Sequence, residues 1–330
     1  MATIVSRPSA APAIPEFVDV VVIGGGPAGL SAALNLARAR STVLVLDANR
    51  PRNAATLRSH GYLTRDGVPP HELRKLAREE LDNYPEEVTV VQRVSASAVR
   101  PLGDDEGGVG ERFAVEVAGQ GGNIVATVRS RAVLVATGLR ETLPAIPNLR
   151  AFYGMSVFSC IACDGYELNQ RPLAFIGETS DLLPRALLIS QCSPQLTVFT
   201  NGSDALDAAA EQVLASRGIR VERRAIADLD GHKGELAAVV LADGERVPAT
   251  GGFVRPLWDA ALGFLDGLDV VVNGDGHIAT DRDGRTNVAG LYAAGDVASP
   301  GPQQLIVAAG AGARVAAVLT HDLLGVSTSH

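Results

Sequence analysis

Two cysteines separated by two residues are the most informative chemical feature of this 330-residue sequence. They lie in the motif Cys160-x-x-Cys163-Asp164-Gly165. Cysteines at this spacing can close a small disulfide that an attacking thiolate reopens, so the pair can hold and release two electrons. We predict that the pair lies at the start of a helix, where the helix dipole lowers the pKa of a thiol and favours the reactive thiolate.

The competing interpretation of the cysteine pair is half of a zinc site. Such a site needs two more Cys or His ligands at a suitable spacing, and the sequence offers only Cys192 and scattered histidines. Three cysteines also cannot form the disulfide framework of a small secreted protein. Cys192 lies in an apolar, helix-like stretch and is predicted to be a buried residue without a redox role. We therefore predict a redox pair and no metal.

The first element that could position a cofactor near these cysteines is a glycine-rich turn. An apolar run over residues 18–23 predicts a strand buried on both faces of a parallel sheet, and a helix is predicted over residues 30–40. Between them, Gly24 permits a tight turn and Gly26 lets the backbone approach a pyrophosphate. Gly29 lets the helix pack closely on the strand. The free N–H groups of the helix start would face the phosphates.

Three further segments support a dinucleotide site. The strand predicted over residues 42–46 ends in Asp47, an acid about 20 residues beyond the glycines and suited to accept hydrogen bonds from a ribose. The strand predicted over residues 131–135 and the apolar run near Leu291 end in two small-residue segments, Ala136-Thr137-Gly138 and Ala293-Ala294-Gly295-Asp296-Val297. Taken alone, Asp296 would be interpreted as a helix cap; together with the glycine turn it is a candidate partner for a ribityl hydroxyl.

A helix predicted over residues 303–320 follows this last segment. Its N-terminus could face a flavin ring and stabilise negative charge on the reduced form, with Gln303 and Gln304 as candidate contacts. A redox dithiol bracketed by two halves of a dinucleotide site is typical of a flavoprotein that exchanges electrons with thiols.

A second dinucleotide fingerprint is expected after the strand over residues 173–177, but the sequence there does not supply one. Gly177 is followed by Glu178-Thr179-Ser180-Asp181, which would place negative charge where phosphates should bind. The next strand, over residues 196–199, ends without the arginines that hold a 2′-phosphate. The sequence therefore predicts a retained fold unit that has lost ordinary NADPH binding.

Several other predicted elements contain few residues that could take part in the chemistry. A long polar segment over residues 52–67 contains His60, which could face a cofactor or substrate but fits an ordinary surface histidine better. The remaining predictions are a helix over residues 71–81, strands of a small sheet over 88–94 and 113–117, an exposed acidic turn over 103–110 and a hinge at Pro144 and Pro147.

Composition excludes some classes of partner. The net charge is -8 and the sequence pI is about 5.3, so the chain lacks the basic face that nucleic acid requires. Its apolar runs are broken well short of 18 residues, which predicts no membrane span. Residues 1–16 are predicted to be a disordered tail, because they lack the features of a signal peptide. One C-x-x-C in a chain of alternating strands and helices favours a cytoplasmic redox protein.

The order of these motifs resembles that of the low-molecular-weight thioredoxin reductases. The resemblance covers about residues 18–325, and the combination is far more specific than any single motif. The segment from Arg52-Asn53 to Gly67, and the Gly165-Tyr166-Glu167 that follows the cysteines, resemble an offshoot of that family. This offshoot includes the dithiol oxidases that close the disulfides of gliotoxin, holomycin and romidepsin-type depsipeptides. Many of these have His after the second cysteine where this chain has Asp164, so the identity of the acid or base stays open.

This resemblance implies an α/β fold with two Rossmann-like three-layer domains of the thioredoxin reductase type, the second inserted into the first. The FAD-binding domain would comprise residues 17–141 and 253–330. Residues 142–252 would form a degenerate NAD(P)-binding-like domain that includes the cysteines. FAD would be bound by Gly24, Gly26, Pro27, Ala28, Gly29, Asp47, Asn53, Ala136, Thr137, Gly138, Gly295, Asp296, Gln303 and Gln304.

For the chemistry, the resemblance implies that Cys160 meets the substrate, that Cys163 lies against the flavin and that Asp164 donates or accepts protons. It also implies a homodimer. The favoured hypothesis is an FAD-dependent oxidase that turns a small-molecule dithiol into a disulfide, with O2 as electron acceptor and H2O2 as product. The alternatives are a disulfide reductase fed by NADPH or another donor such as ferredoxin, and a non-catalytic flavin-binding sensor. His60, Tyr62 and Trp258 are candidates for the surface that selects the substrate.

Overall fold

A computed structural model of the chain describes residues 13–103, 106–108, 110–298 and 301–326. Most of the segment predicted to be a disordered tail, residues 1–12, lies outside the described part. The chain forms two compact units. Unit 1 comprises residues 1–51, 71–140 and 259–330, and unit 2 comprises residues 52–70 and 141–258.

The elements run in the following order within each class. The strands are β1 (Phe17–Ile23), β2 (Val43–Asp47), β3 (Val88–Gln92), β4 (Ser95–Pro101), β5 (Phe113–Ala118), β6 (Ile124–Val135), β7 (Arg140–Thr142), β8 (Val157–Phe158), β9 (Leu173–Ile176), β10 (Leu196–Phe199), β11 (Arg220–Glu222), β12 (Ile226–His232), β13 (Glu235–Leu241), β14 (Arg246–Pro248), β15 (Gly251–Val254), β16 (Leu257–Asp259) and β17 (Leu291–Ala293). The α-helices are α1 (Pro27–Arg38), α2 (Pro70–Leu81), α3 (Leu149–Phe152), α4 (Ile161–Asp164), α5 (Leu182–Ile189), α6 (Ala208–Ser216) and α7 (Leu305–Leu324).

Unit 1 is built on a seven-stranded sheet in the order β3-β2-β1-β6-β5-β4, with β17 also paired to β6. Strands β3, β2, β1, β6 and β17 are parallel, whereas β4 and β5 join as antiparallel strands. The central strands β1 and β2 are apolar and buried almost throughout, as both faces of a parallel sheet require. Helices α1 and α7 pack on one face of the sheet. Because β1, β2, β6 and β17 are parallel, their carboxyl ends meet at one edge.

Unit 2 contains a five-stranded parallel sheet in the order β11-β10-β9-β15-β8. Helices α5 and α6 pack against one face of this sheet. An antiparallel sheet of β12, β13 and β14 covers the other face. Both units are therefore α/β folds built on a sheet with parallel central strands, which confirms the predicted fold class.

Most of the predicted strands and helices of the two parallel sheets are present, but three predictions about elements need correction. The strands at residues 88–92 and 113–118 do not form a separate small sheet, because they extend the main sheet at its two sides. Helix α1 starts at Pro27, three residues earlier than predicted, since proline suits the first turn of a helix. Helix α7 starts at Leu305, because Gln304 is extended and forms its N-cap.

The position of residues 52–70 differs from the domain boundaries expected from the sequence. This segment clusters with unit 2, whereas the resemblance placed it in the FAD-binding domain. Its 3-10 turn packs so tightly that a Cβ added at Gly154 would lie 2.2 Å from the carbonyl oxygen of Ala55. The chain passes between the units through β7 and β16, which pair with each other.

Helix α7 is long and apolar enough, by length and composition only, to cross a membrane. The sequence analysis did not find this segment, because it considered uninterrupted apolar runs and α7 is interrupted by Gly310, Gly312 and Arg314. One such helix is weak evidence, since core helices pass the same test. Gly312, Val315 and Leu319 are buried in the core of unit 1, so we interpret α7 as a packed helix of that unit.

Candidate functional site

The glycine turn after β1 forms the centre of the candidate cofactor site in unit 1. Gly24 has φ +123°, a conformation that L side chains rarely adopt, and a Cβ there would lie 2.3 Å from the carbonyl oxygen of Ala136. A Cβ at Gly29 would lie 1.9 Å from the carbonyl oxygen of Gly24. These two glycines are therefore required by the turn and by the packing of α1 on β1, as the sequence predicts.

Gly26, unlike Gly24 and Gly29, has room for a side chain. A Cβ added to it would meet no atom of the described residues within 4 Å, so the space in front of this residue is open. Gly26 is also the N-cap of α1, has no side chain to cap the helix, and is followed by Pro27. Backbone N–H groups at the start of a 12-residue helix that no side chain caps attract a phosphate. The turn therefore fits the pyrophosphate of a dinucleotide.

Asp47 ends β2 beside this turn and is 4% exposed. Its Oδ1 accepts a hydrogen bond from the backbone N–H of Asn49 at 2.7 Å, and its Oδ2 lies 3.4 Å from Nη1 of Arg78. A Cβ at Gly25 would lie 2.3 Å from the Asp47 carboxyl carbon, so a third glycine is needed to admit this acid. The carboxylate is thus fixed at the strand end where a ribose would bind.

Two arginines of α2 accompany Asp47. Besides Arg78, Arg74 donates from Nη1 to Asn49 at 3.2 Å. Its Nε is buried and has no hydrogen-bond partner among the described residues, and burial lowers the pKa of this guanidinium. A buried donor that no side chain or backbone group satisfies indicates where a further acceptor belongs. The sequence reasoning missed both arginines, although their i,i+4 spacing on an amphipathic helix was visible.

The other predicted cofactor residues of unit 1 lie at the same sheet edge. Ala136 follows β6 and its N–H donates to Ile23, while Gly138 has φ +67° and open space beside it. Gly295 has φ +77° and starts the short turn that contains Asp296, after β17. A Cβ at Gly312 of α7 would lie 2.0 Å from the carbonyl oxygen of Ala28, so α7 meets α1 next to the glycine turn.

Three predicted cofactor residues lie elsewhere. Gln303 and Gln304 directly precede α7, and Gln304 is its N-cap. Asn53 lies in the 3-10 turn over residues 52–55, which belongs to unit 2. The structure therefore brings the glycine turn, Asp47, residues 136–138 and residues 295–296 to one edge, while the role of Asn53 in cofactor binding stays a prediction.

Cys160 and Cys163 form a disulfide in unit 2, with their Cα atoms 5.3 Å apart. Cys160 is the N-cap of the four-residue helix α4, and the backbone N–H of Asp164 donates to the carbonyl oxygen of Cys160 at 3.1 Å. The helix start predicted for the pair is confirmed. Cys192 is half-buried behind this turn, since a Cβ at Gly165 would lie 2.8 Å from its Sγ, and burial raises the pKa of its thiol.

Asp164 is the ionisable group whose pKa the cysteine turn changes most. Burial, assisted by the charge of Glu167, raises this pKa from its ordinary value of 3.8 to about 7. The charge of His60 acts in the opposite direction. A carboxyl group that titrates near neutral pH can both accept and donate a proton under physiological conditions. Asp164 therefore has the electrostatic properties of an acid–base group beside the dithiol.

The second glycine turn follows β9, and its first residue, Gly177, has as little room for a side chain as the equivalent Gly24 of unit 1. A Cβ at Gly177 would lie 2.4 Å from Cδ2 of Leu182 and 2.9 Å from Cβ of Arg255. The carboxylate of Glu178 accepts a hydrogen bond from Nδ2 of Asn201 at 2.6 Å, which joins the end of β9 to the end of β10. The carboxylate of Glu178 therefore lies at the turn where a dinucleotide fold binds the phosphates of its ligand.

Asp181, the N-cap of α5, adds a second carboxylate at this turn. Its Oδ2 accepts hydrogen bonds from Nε of Arg185 at 2.6 Å and from Nε of Arg255 at 2.8 Å, and its Oδ1 accepts one from Thr179 at 2.6 Å. Although burial alone would raise the pKa of Asp181, these hydrogen bonds lower it to about 2. A carboxylate of the chain thus lies at the helix start where a phosphate would bind.

Trp258 connects this turn to the cysteine segment. The guanidinium carbon of Arg255 lies 4.4 Å from the indole centroid, and those of Arg52 and Arg185 lie 5.6 Å away. Trp258 Nε1 donates to Glu141 at 3.2 Å. The same carboxylate accepts from the hydroxyl of Tyr153, which lies 3.0 Å from Oγ of Ser159, the residue before Cys160. Trp258 therefore has a structural environment that the sequence alone did not reveal.

Comparison with known proteins identifies the family to which the chain belongs. Residues 18–312 match the model of the pyridine nucleotide-disulphide oxidoreductase family. The chain belongs to this family. It is 29% identical over 292 residues to thioredoxin reductase tcpT of Claviceps purpurea, which covers 85% of this chain and 87% of that protein. A stretch of 186 residues is 31% identical to a protein of Arthroderma benhamiae and covers 56% of this chain and 44% of that protein.

Among solved structures, the crystal structure of HlmI is similar at a TM-score of 0.86, with 34% identity. The match covers 96% of this chain and 95% of that one. The resemblance to thioredoxin reductase-like proteins that the motifs suggested is therefore confirmed. This chain is an FAD-binding disulfide oxidoreductase of the thioredoxin reductase type.

The residues of unit 1 fit FAD. The open space at Gly26 and the uncapped start of α1 suit its pyrophosphate, and the orphan Nε of Arg74 lies among the residues around Asp47. Among the residues that the structure describes, no group of three or more His, Cys, Asp or Glu side chains is placed to bind a metal ion.

Proposed function

We propose that this protein is an FAD-dependent dithiol oxidase that forms a disulfide in a small-molecule dithiol, with O2 as the electron acceptor. The observation that supports this proposal is the contrast within unit 2. The cysteine pair and Asp164 are arranged for thiol chemistry, whereas the turn expected to bind a pyridine nucleotide has the carboxylates of Glu178 and Asp181, which are hydrogen-bonded within the chain. An oxidase needs the first site and has no use for the second.

The chemistry of the chain's own residues begins with thiol–disulfide exchange. A substrate thiolate attacks Sγ of Cys160, forms a mixed disulfide and releases Cys163 as a thiolate. The second substrate thiolate then attacks the substrate sulfur of the mixed disulfide. The substrate leaves as a disulfide, and its two electrons remain in the Cys160/Cys163 dithiol. When bound, FAD supplies the two-electron acceptor for this dithiol and the centre at which O2 is reduced to H2O2.

Asp164 is the proton-transfer group in this scheme. A free thiol has a pKa near 8.5, so a carboxylate that titrates at about 7 can accept its proton at a modest cost in free energy. The same group, once protonated, can return the proton to a leaving thiolate of the cysteine pair. Residue-by-residue resemblance assigns the outer position to Cys160, and the half-buried state of both cysteines is compatible with attack on either sulfur.

The proposal is tested by anaerobic reduction of the flavin in the purified protein. One sample receives a small dithiol, a second receives excess NADPH and a third receives reduced ferredoxin, while the flavin absorbance near ~450 nm is recorded. We expect the dithiol to bleach the flavin and NADPH to leave it oxidised. Admission of air should then restore the absorbance with formation of H2O2 in proportion to the dithiol consumed.

Each alternative has its own outcome in this experiment. Rapid bleaching by NADPH would mean that the chain is a reductase and that the turn after β9 binds the nucleotide despite its carboxylates. Bleaching by reduced ferredoxin alone would indicate a reductase with a protein donor. Bleaching by none of these reagents would leave a flavin-binding protein without turnover, and would refute the oxidase.

A further inference from the structure

Three arginines of unit 2 converge on one indole ring. The guanidinium carbon of Arg255 lies 4.4 Å from the centroid of Trp258, and those of Arg52 and Arg185 each lie 5.6 Å from it. The three come from separate segments of the chain, because Arg52 starts the 3-10 turn, Arg185 belongs to α5 and Arg255 follows β15. A cation within about 6 Å of an indole centroid is attracted by the ring, so Trp258 gathers positive charge at this point.

A single carboxylate compensates two of these arginines. Oδ2 of Asp181 accepts hydrogen bonds from Nε of Arg185 and from Nε of Arg255. Among the residues that the structure describes, no other acid forms an ion pair with either guanidinium. Glu141 is engaged instead by Nε1 of Trp258, at 3.2 Å. Two guanidinium groups that share one carboxylate leave an excess of positive charge in a chain whose net charge is -8, and such an excess attracts anions.

The hydrogen bonds to Asp181 use the same edge of both guanidinium groups. Arg185 donates from Nε alone, whereas Arg255 donates from Nε and also from Nη1, to the carbonyl oxygen of Pro256. Within the described part of the chain, both Nη groups of Arg185 and the Nη2 of Arg255 therefore have no acceptor. None of these three nitrogens is both buried and unsatisfied, so solvent reaches each of them. Such N–H groups are the donors with which arginine binds the oxygens of carboxylates and phosphates.

We propose that Arg185, Arg255 and Trp258 form a binding site for the oxyanion of a small molecule, a carboxylate or a phosphate group. Asp181 holds the Nε edges of the two arginines, and the ring of Trp258 lies against the guanidinium of Arg255. The remaining Nη donors are thus held in place before a ligand binds, which lowers the entropic cost of binding. The proposal goes beyond the function proposed above and does not rest on it.

Two sources of such an oxyanion fit the surroundings of the site. Helix α5 starts at the turn after β9, where this type of fold binds the phosphates of a nucleotide. Glu141, which binds Trp258, also accepts a hydrogen bond from the hydroxyl of Tyr153. That hydroxyl lies 3.0 Å from Oγ of Ser159, the residue before Cys160. The oxyanion is therefore either a phosphate of a nucleotide or the carboxylate of a dithiol that reacts at the cysteines.

Trp258 is the single tryptophan of the chain, so tryptophan fluorescence reports on this site directly. The holoenzyme is titrated at constant ionic strength with lipoate, with lipoamide and with inorganic phosphate, and isothermal titration calorimetry repeats each titration. Lipoate and lipoamide have the same disulfide ring, and they differ in the carboxylate that lipoate alone has. We expect saturable binding of lipoate or phosphate and none of lipoamide. Binding of lipoate alone identifies the carboxylate of a dithiol as the ligand, binding of phosphate alone identifies a phosphate, and binding of both identifies a site for either group.

A variant on the exposed side of α5 tests the assignment of the donors. Arg185→Gln should weaken the binding about tenfold or more, because charge-assisted hydrogen bonds are lost. Arg217→Gln removes an exposed arginine of the same unit, just after α6, and is the matched control with no expected effect. Circular dichroism checks the fold of both variants.

Three results would overturn the proposal. They are the absence of saturable binding by both methods, equal binding of lipoamide and lipoate, and an Arg185→Gln protein that binds as tightly as the wild type. Failure of dithiols to bleach the wild-type flavin would instead refute the oxidase function and would leave this site unaffected.

Discussion

The two glycine turns of this molecule follow equivalent strands of similar sheets, but they differ in the residues that form them. In unit 1, the residue at the third position of the turn is Gly26, and the space in front of it is open. In unit 2, the corresponding turn continues from Gly177 into Glu178 and Thr179, so that side chains stand at the second and third positions of the turn. Both turns follow a buried parallel strand and lead to a helix, so the difference lies in the side chains alone.

Under the proposed function, this difference is how a nucleotide site is lost while its fold is kept. The start of α5 still favours a negative charge, but that charge is provided by Asp181. Arg185 and Arg255 neutralise it, and Glu178 is held by Asn201. The carboxylates of Glu178 and Asp181 at this turn are therefore paired within the chain. Unit 1 keeps its cofactor site, and unit 2 contributes the dithiol.

The largest effect expected from this division is on turnover. Cys160→Ser and Cys163→Ser should each abolish oxidation of a small dithiol, because a hydroxyl replaces the thiolate that exchange requires. The cysteines belong to unit 2 and the cofactor residues at the sheet edge to unit 1, so FAD should stay bound in both variants. O2 consumption with the dithiol and the flavin content of the purified proteins are the two measurements. Loss of FAD in either variant would contradict the division of roles.

The second prediction concerns the open turn. Gly26→Glu places a carboxylate in the space kept for the pyrophosphate without any clash at Cβ, so we expect FAD affinity to fall by about 100-fold or more. Flavin content and a fluorescence titration with FAD measure the effect, and circular dichroism checks the fold. Gly274→Glu is the matched control, because its Cβ also meets no described atom within 4 Å. An equal loss of FAD in both variants would mean that the turn is not the site.

Asp164→Asn should slow dithiol oxidation by ~10²- to 10⁴-fold, the usual range for loss of a general acid–base group. In the wild type the rate should rise with pH through about 7, because the carboxylate that accepts the substrate proton forms as Asp164 ionises at its raised pKa. The amide does not titrate, so this limb should vanish in the variant. Stopped-flow bleaching of the flavin measures the rate and its pH dependence between pH 5 and pH 9. These limits lie about two pH units on either side of that pKa. A variant with the wild-type rate and profile would exclude Asp164 from the mechanism.

The sequence predicted the elements of the parallel sheets because their strands are apolar and their turns contain glycine. It also predicted Asp47, the cysteine turn and the loss of the second fingerprint, which depend on residues close in the chain. It did not predict the partners that come from distant segments. Arg74 and Arg78 beside Asp47, and Arg255 beside Asp181, are brought there by tertiary packing. It also did not predict the arginines around Trp258, which come from three separate segments of unit 2.

The closed crevice can be tested by reopening it. In Glu178→Gly/Asp181→Ser the two carboxylates are removed, and Arg185 and Arg255 lose the partner that neutralises them. We expect NADPH to bind about tenfold more tightly than to the wild type, which corresponds to about 1.4 kcal/mol. A fluorescence titration with NADPH measures this change. Adding Arg255→Met to the double variant should remove the gain, and equal NADPH affinity in all three proteins would show that these side chains do not close the site.

The smallest expected effect is on stability. The pKa of Asp181 is lowered to about 2, so its ion pairs stabilise the folded state fully above about pH 4, and this contribution is lost as the pH falls through about 2. The carboxylate is 35% exposed, which limits the contribution to about 0.5–1 kcal/mol at pH 7. Urea unfolding of Asp181→Asn with saturating FAD should show this loss at pH 7.

The difference between Asp181→Asn and the wild type should shrink as the pH approaches that lowered pKa, because the wild-type carboxylate is then protonated too. Asp204→Asn, at a fully exposed acid of the same unit, is the control and should leave the free energy of unfolding unchanged at both pH values. A loss at pH 7 that persists undiminished in acid would mean that Asp181 stabilises α5 by hydrogen bonding to Thr179 and not by its charge. Packing, and not the charge of Asp181, would then close the crevice, and Arg185 and Arg255 would be available to bind an anion.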